Sequence, residues 1–179
     1  MTSPFEGRLI RLRAREPEDE PQLYQWFNDP EVTEWLTVRY PVSHQQERDF
    51  LAANGAPGYH NANFAIVTKT EGTLIGGIDL GPVRAESREG MLGIAIGDKA
   101  YWDGGYGTDA MRTLCGFGFD EMNLHRIQLE VFAGNERAIH VYEKVGFQRE
   151  GLKRDGIFKR GRYHDIVVMS LLEGELRPE

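Results

Sequence analysis

Apolar positions along the chain change period several times, and each change marks an element. Leu9, Ile10 and Leu12 interleave with arginines over residues 7–13, which predicts a strand. Pro17, Glu18, Asp19 and Glu20 form an acidic helix start, with Leu23, Trp26 and Phe27 spaced for one face behind it. Asn28, Asp29 and Pro30 end that helix, and residues 31–36 read as a further turn. Ser43, with Gln46 and Glu47 close behind, opens a second helix to about Ala53, and the Gly- and Pro-rich stretch 54–58 is a loop. From Asn63 the period shortens to two. Phe64, Ile66 and Thr68 alternate, Glu71 and Gly72 turn the chain, and residues 74–80 return it as a hairpin. A polar turn at 84–89 leads to Leu92, Ile94 and Ile96, again alternating. The glycine-rich segment 103–107 then delivers the chain into a helix striped by Met111, Leu114, Cys115 and Gly118. Ile127, Leu129 and Val131 predict a strand over 126–132; Ala138, Val141, Tyr142 and Val145 predict a last helix, stopped by Gly146. Strands near 147–152 and 163–172 complete the chain, and the basic run 153–162, with Gly156 and Gly161 inside it, reads as a solvated hairpin loop between them. A strand meander followed by a strand–helix–strand–helix–strand run predicts an α/β fold with a mixed sheet, in one domain over residues 1–179.

Composition narrows the class. At 179 residues a folded chain buries about 70% of its extended surface, so the 40% apolar content can build a core without staples. No apolar run approaches the roughly 20 residues of a membrane span, and no basic-then-apolar leader opens the chain. The lone Cys115 cannot form an internal disulfide or, alone, a zinc site, so the expectation is a cytoplasmic protein without a metal. Twenty-one Lys and Arg against 28 Asp and Glu leave a net charge of −7. That suits neither nucleic acid nor a membrane surface and favours cationic partners, small amines among them.

Gly105, Tyr106, Gly107, Thr108, Asp109 and Ala110 are formally a G-x-G-x-x-A pattern. A dinucleotide site needs its glycines directly after the strand. Here residues 97–104, with Tyr101 and Trp102, intervene, although Glu130 on the next strand is an acidic residue of the kind such a site uses. The other readings are a purely structural loop and a different phosphate ligand. For the last, glycines allow close backbone approach and helix N-terminal N–H groups meet the negative charge.

Downstream stands Asn135-Glu136-Arg137-Ala138, continuing through Tyr142-Glu143-Lys144-Val145-Gly146-Phe147. Together with Ile94-x-Ile96, Tyr101-Trp102-x-x-Gly105-Tyr106-Gly107-Thr108-x-Ala110 and Arg126-Ile127-x-Leu129-x-Val131, this closely resembles the GNAT superfamily of acetyl-CoA-dependent N-acetyltransferases, over about residues 90–150. The opening 7–13, Trp26-x-Asn28-Asp29-Pro30-Glu31-Val32 and the closing Gly161-Arg162-Tyr163-His164-Asp165 look like the branch of ribosomal-protein alanine acetyltransferases and diamine acetyltransferases.

The resemblance implies a mixed, mostly antiparallel sheet of about seven strands with a splayed parallel pair, flanked by helices. It implies acetyl-CoA as co-substrate, its pyrophosphate on the amides of Gly104, Gly105, Tyr106, Gly107 and Thr108. The pantetheine arm would pair along Ile94, Ala95 and Ile96, where the strand parts from that of Leu129, and a main-chain N–H there would polarise the thioester. Asn135, besides capping its helix, would hydrogen-bond the cofactor, and Tyr142 would protonate the departing thiolate. Asp103 departs from the family loop and brings a negative charge near the diphosphate. The attacking amine must lose a proton. Glu34, in the region bordering the family's acceptor site, is the first candidate to take it, ahead of Asp79 and Glu130. His125 reads as structural and Cys115 as a core thiol, which favours direct transfer in a ternary complex. The acceptor would be a protein N-terminus, a polyamine or another small amine. Dimers are common in the family, so a homodimer belongs among the expectations. The alternative is a non-catalytic acyl-CoA-binding or regulatory module, against which the pairing of Asn135 with Tyr142 speaks.

Overall fold

The computed structural model describes residues 3–178. Seven strands form one sheet: β1 (Ile10–Arg13), β2 (Ala62–Thr68), β3 (Leu74–Arg84), β4 (Glu89–Ile96), β5 (Arg126–Phe132), β6 (Gln148–Lys159) and β7 (Arg162–Leu172), in the order β1-β2-β3-β4-β5-β7-β6. All neighbours are antiparallel except β4 and β5. Four helices cover it: α1 (Glu20–Phe27), α2 (His44–Asn54), α3 (Tyr106–Asp120) and α4 (Glu136–Val145).

The periodicities place the layers. Phe64, Ile66, Ile78 and Leu80 bury one sheet face against Met111, Leu114 and Cys115 of α3 and Ile139 and Val145 of α4. Leu23 and Trp26 of α1 and Leu51 of α2 form a smaller cluster on the opposite face, with Leu74 and Trp102 packed against it. Every residue of β2 is buried, because helices cover both faces there, so the alternation read from Phe64, Ile66 and Thr68 marks orientation rather than exposure. On α4 the deepest side chains are Ile139 and Val145; Ala138, Val141 and Tyr142 are only partly buried.

Three boundaries differ from the sequence reading, each for a local reason. The first strand begins at Ile10 rather than Gly7, because the N–H groups of Arg8, Leu9 and Ile10 donate to the buried Asp109 carboxylate at 3.1, 2.7 and 3.0 Å. The third strand runs past Leu80 to Arg84, through a register slip between Leu80 and Val83. The basic run is not a loop. The strand pairs with β7 through Lys153 and again from Ile157 to Lys159, residues 154–156 lie in a register slip between them, and only Arg160 and Gly161 turn the chain. Both have positive φ, 50° and 77°, as a tight two-residue hairpin requires.

Candidate active site

Parallel strands β4 and β5 pair only at Glu89 with Arg126, Gly90 with Ile127 and Met91 with Gln128. Beyond that point they part. Residues 92–96 pair on β3 alone and residues 129–132 on β7 alone, leaving two ladder edges facing an open groove. The expected splay is therefore present, and Ile94, Ala95 and Ile96 stand half-buried along it. The Ile96 carbonyl already accepts the Trp102 indole N–H at 2.8 Å, using one of its two lone pairs.

At the end of β4 a short 3-10 turn (Lys99–Tyr101) leads to the glycine loop. Gly105 caps α3 with φ +84° and has no side chain to accept from the first turn. The Asp109 N–H is bonded to the Gly105 carbonyl, 3.0 Å away, so those of Tyr106, Gly107 and Thr108 precede the first helical hydrogen bond and remain for an anion. Asp103 has a cationic partner of its own. Its carboxylate lies 2.9 Å from Nε of Arg137, whose guanidinium stands 5.0 Å from the Trp102 ring centroid. Arg137 is a site-bordering cation that the sequence reading passed over. The available signal was a cation in the first turn of a helix, against the helix dipole, within a recognised motif.

Asn135 caps α4, its Oδ1 accepting the Ala138 N–H at 3.2 Å. One helical stretch on, the Tyr142 ring is half-buried at 6.2 Å from Phe147, and its hydroxyl has no hydrogen-bond partner among the described residues. Burial pushes this phenol up to about 12, so it stays protonated across the working pH range.

The turn at 29–36 closes one side of this region, and the tip of the β6–β7 hairpin holds it. The Lys159 ammonium, in a residue only 8% exposed, donates to the carbonyls of Thr33, Glu34 and Leu36, and Arg160 donates to that of Pro30 at 2.9 Å. Desolvation lowers the Lys159 pKa. From the other side Lys99 pairs with Asp29 and Glu31 at 2.9 and 2.7 Å. Trp35 packs against Phe132 at the end of β5, ring centroids 5.7 Å apart, and against Gly134, beside the Asn135 cap. Glu34 thus borders the end of the groove, half-exposed, with Arg160 Nη1 3.7 Å from its carboxylate.

The remaining candidates separate. Asp79 lies on β3 opposite Gly93, and burial pushes its carboxyl up to about 6 against the opposing pull of Arg15. Glu130 pairs with Lys153 at the surface. His125 is exposed and 3.4 Å from Glu173. Cys115 is fully buried in the core, which pushes its thiol well above the ordinary range and away from the thiolate.

Residues 9–148 match a family model described as an acetyltransferase (GNAT) domain. The uncharacterized N-acetyltransferase p20 of Bacillus licheniformis is 32% identical over 93% of this chain and 94% of its own. Spermidine N(1)-acetyltransferase of Escherichia coli K12 is 27% identical over 95% of this chain and 89% of its own. A spermidine N-acetyltransferase from Vibrio cholerae, solved in complex with CoA and spermine, superposes with a TM-score of 0.84 at 24% identity, over 93% and 97% of the two chains.

Proposed function

The chain belongs to the GNAT acetyltransferase family and is an N-acetyltransferase, and from that premise we propose that it moves an acetyl group from acetyl-CoA to a primary amine by direct transfer in a ternary complex. The observation that carries the reading is the groove where β4 leaves β5, with free N–H groups at the α3 N-terminus at one end; the Tyr142 hydroxyl, unpartnered among the described residues, supports it.

In this reading the amides of Gly104, Gly105, Tyr106, Gly107 and Thr108 take the pyrophosphate, and Arg137 adds a cation at the rim. Ile94, Ala95 and Ile96 offer their open ladder edge to the pantetheine amides. Asn135 contributes its amide nitrogen while its oxygen caps α4. Tyr142 supplies the proton that the departing thiolate takes up. Glu34 lies on the acceptor side, on the turn that also carries Asp29 and Glu31. The net charge of −7 and the spermidine acetyltransferase among the relatives support a polyamine or similar small amine over a neutral acceptor. The buried Cys115 supports direct transfer, because no acyl group could reach it without opening the core. We read residues 1–179 as one acetyltransferase domain, which the single seven-stranded sheet supports. We place it in the cytoplasm on its lone thiol; among the described residues no helix is long and apolar enough to cross a membrane.

The test is thiol release from acetyl-CoA against polyamines, other small amines and short peptides, with Tyr142→Phe alongside. The expected result is release with one amine class, and a kcat reduced about 100-fold or more in the variant, with the KM for acetyl-CoA little changed. Acetyl-CoA binding without release for any amine would move the protein to a binding role. No binding at all would refute the reading.

A further inference from the structure

The sheet face turned toward α1 and α2 holds a group of charged side chains that the reaction so far leaves unused. Gly77 and Gly93 make room for it. A Cβ on Gly77 would stand 2.9 Å from the Arg15 guanidinium, and one on Gly93 would stand 3.1 Å from Oδ1 of Asp79. Asp79 lies directly between Asn63 of β2 and Gly93 of β4 in the ladder. Asn63 and Glu47 are each only 5% exposed, yet Asn63 Nδ2 and Glu47 Oε2 have no hydrogen-bond partner. The neighbouring acids are engaged elsewhere. Asp19 is held by both nitrogens of Arg13 at 2.9 and 2.7 Å, and Glu20 by His44 at 2.6 Å.

Position sets Asp79 apart. Its partner Gly93 is the second residue after Met91, where β4 leaves β5, so Asp79 sits one strand spacing, about 4.8 Å, from the opening groove. Ile78 and Leu80, its sequence neighbours, face α3, so Asp79 faces the opposite side. An acyl donor anchored at the α3 N-terminus and an amine approaching from the α1–α2 side would meet across β4. The open stretch of β4 itself, residues 92–96, carries no titratable side chain. Glu34, by contrast, is half-exposed beside Arg160.

We propose that Asp79 is the proton acceptor for the attacking amine, and that Arg15 sets the pH at which it works; this rests on the transferase reading above. The alkylammonium gives one proton to the Asp79 carboxylate, directly or through one solvent molecule. The freed nitrogen lone pair bonds to the thioester carbonyl carbon, and collapse breaks the carbon–sulfur bond with its electrons leaving on sulfur. The thiolate takes the Tyr142 proton, Tyr142 regains one from the second proton lost by nitrogen, and Asp79 returns its own to solvent. The balance is ammonium plus acetyl-CoA giving amide, CoA thiol and one released proton.

The charged group turned to Asp79 is Arg15, from the segment after β1; Arg15 in turn feels Asp19, and Glu47 of α2, and Glu20 of α1 lies beside Glu47. Asp79 is about half protonated near pH 6 and a carboxylate above it, so the rate must fall as pH drops through that value. Arg15 opposes the rise, so removing its charge must move this acid limb to higher pH.

The experiment measures kcat/KM from pH 5 to 9 for the unaltered chain, Asp79→Asn and Arg15→Gln, with the best amine from the panel. Acetyl-CoA protection against thermal unfolding serves as the fold control. Asp79→Asn is expected to keep that protection, lose about 100-fold or more at pH 7.5, and track the free-amine fraction with no limb near 6. Arg15→Gln is expected to move the limb upward by half a unit or more, which is read from the shape of the profile and not from its height. If Asp79→Asn does not fold, the Arg15→Gln limb decides, and an unmoved limb overturns the proposal. An Asp79→Asn rate within threefold of the unaltered chain, limb retained, overturns it while leaving the transferase reading intact. Absence of release by the unaltered chain refutes the transferase reading, and Asp79 with it.

Discussion

Asp109 is expected to be the side chain whose loss most damages the frame of the cofactor loop. Its carboxylate, in a residue 6% exposed on the first turn of α3, accepts the N–H groups of Arg8, Leu9 and Ile10. These three donors have no strand partner at that point, so the carboxylate replaces a ladder. Hydrogen bonds to a charged acceptor contribute about 1.5–3 kcal/mol each, and leaving buried donors unmade costs about 1–3 kcal/mol apiece. The three donors share two oxygens and act together, so we take about 3 kcal/mol for Asp109→Ala rather than a sum. For a chain of this length that is about 6–12 °C in Tm, at roughly 2–4 °C per kcal/mol. Asp109→Asn distinguishes the cause: it keeps the shape but turns an NH2 toward backbone donors, so its loss should approach that of alanine. Leu9 also packs near Gly105, so both variants should weaken acetyl-CoA binding along with stability. Thermal unfolding with and without acetyl-CoA is the assay. An Asp109→Asn chain melting within 2 °C of the parent would mean the side chain only fills space, and the reasoning fails.

Two further outcomes are expected. Lys159→Met removes the ammonium that gathers three carbonyls of the 29–36 turn, and should lower stability by about 2–3 kcal/mol. It should also raise the acceptor KM about tenfold while the acetyl-CoA KM stays within threefold, which steady-state kinetics at varied amine and fixed acetyl-CoA would read. Glu150 is held down to about 2, first by Arg126 and then by Ser170. A depressed carboxylate stabilises the fold above its unfolded value and loses that contribution as pH falls. The Tm gap between the parent and Glu150→Gln should therefore be full at pH 7 and close between about 4.5 and 2. Because the pair is exposed, the gap should be small.

Much of the fold was legible because burial leaves a period in the sequence. The stripe Met111, Leu114, Cys115 and Gly118 is buried as read, and so are Ile127, Leu129 and Val131. The glycine loop was legible for a different reason: positive φ and close backbone approach leave few residue choices, and Gly105 occupies such a position. What stayed hidden depends on partners far along the chain. Lys159 looked like one charge in a solvated basic run, and only contacts 123 to 126 residues away make it a buried clasp. The Gly156 that suggested a loop instead lies in a register slip within a paired strand, a distinction that needs the facing strand. Asp79 was legible as a candidate from its charge alone. Its distinction comes from glycines on its own and the neighbouring strand, which no pattern along one strand records.

The Tyr142 phenol poses the sharpest energetic question in the proposed reaction. Held at about 12, it faces a thiolate whose thiol ordinarily titrates near 8.5, so the transfer would run uphill by about 5 kcal/mol in water. The same desolvation that raises the phenol must raise the thiol, as burial does for Cys115 in the core of this chain. The proton transfer therefore becomes favourable only while the sulfur is shielded from solvent. Trp35, which lies on Phe132 and Gly134 next to the α4 cap, is the side chain we propose for that shielding. Lys159, Arg160 and Lys99 hold the turn that carries Trp35, from both sides. A clasp that looks like mere stability is then part of the acid's chemistry. By this reasoning, loosening the turn should depress kcat least at high pH, where a hydrated thiolate has least need of a proton from Tyr142, and more as pH falls.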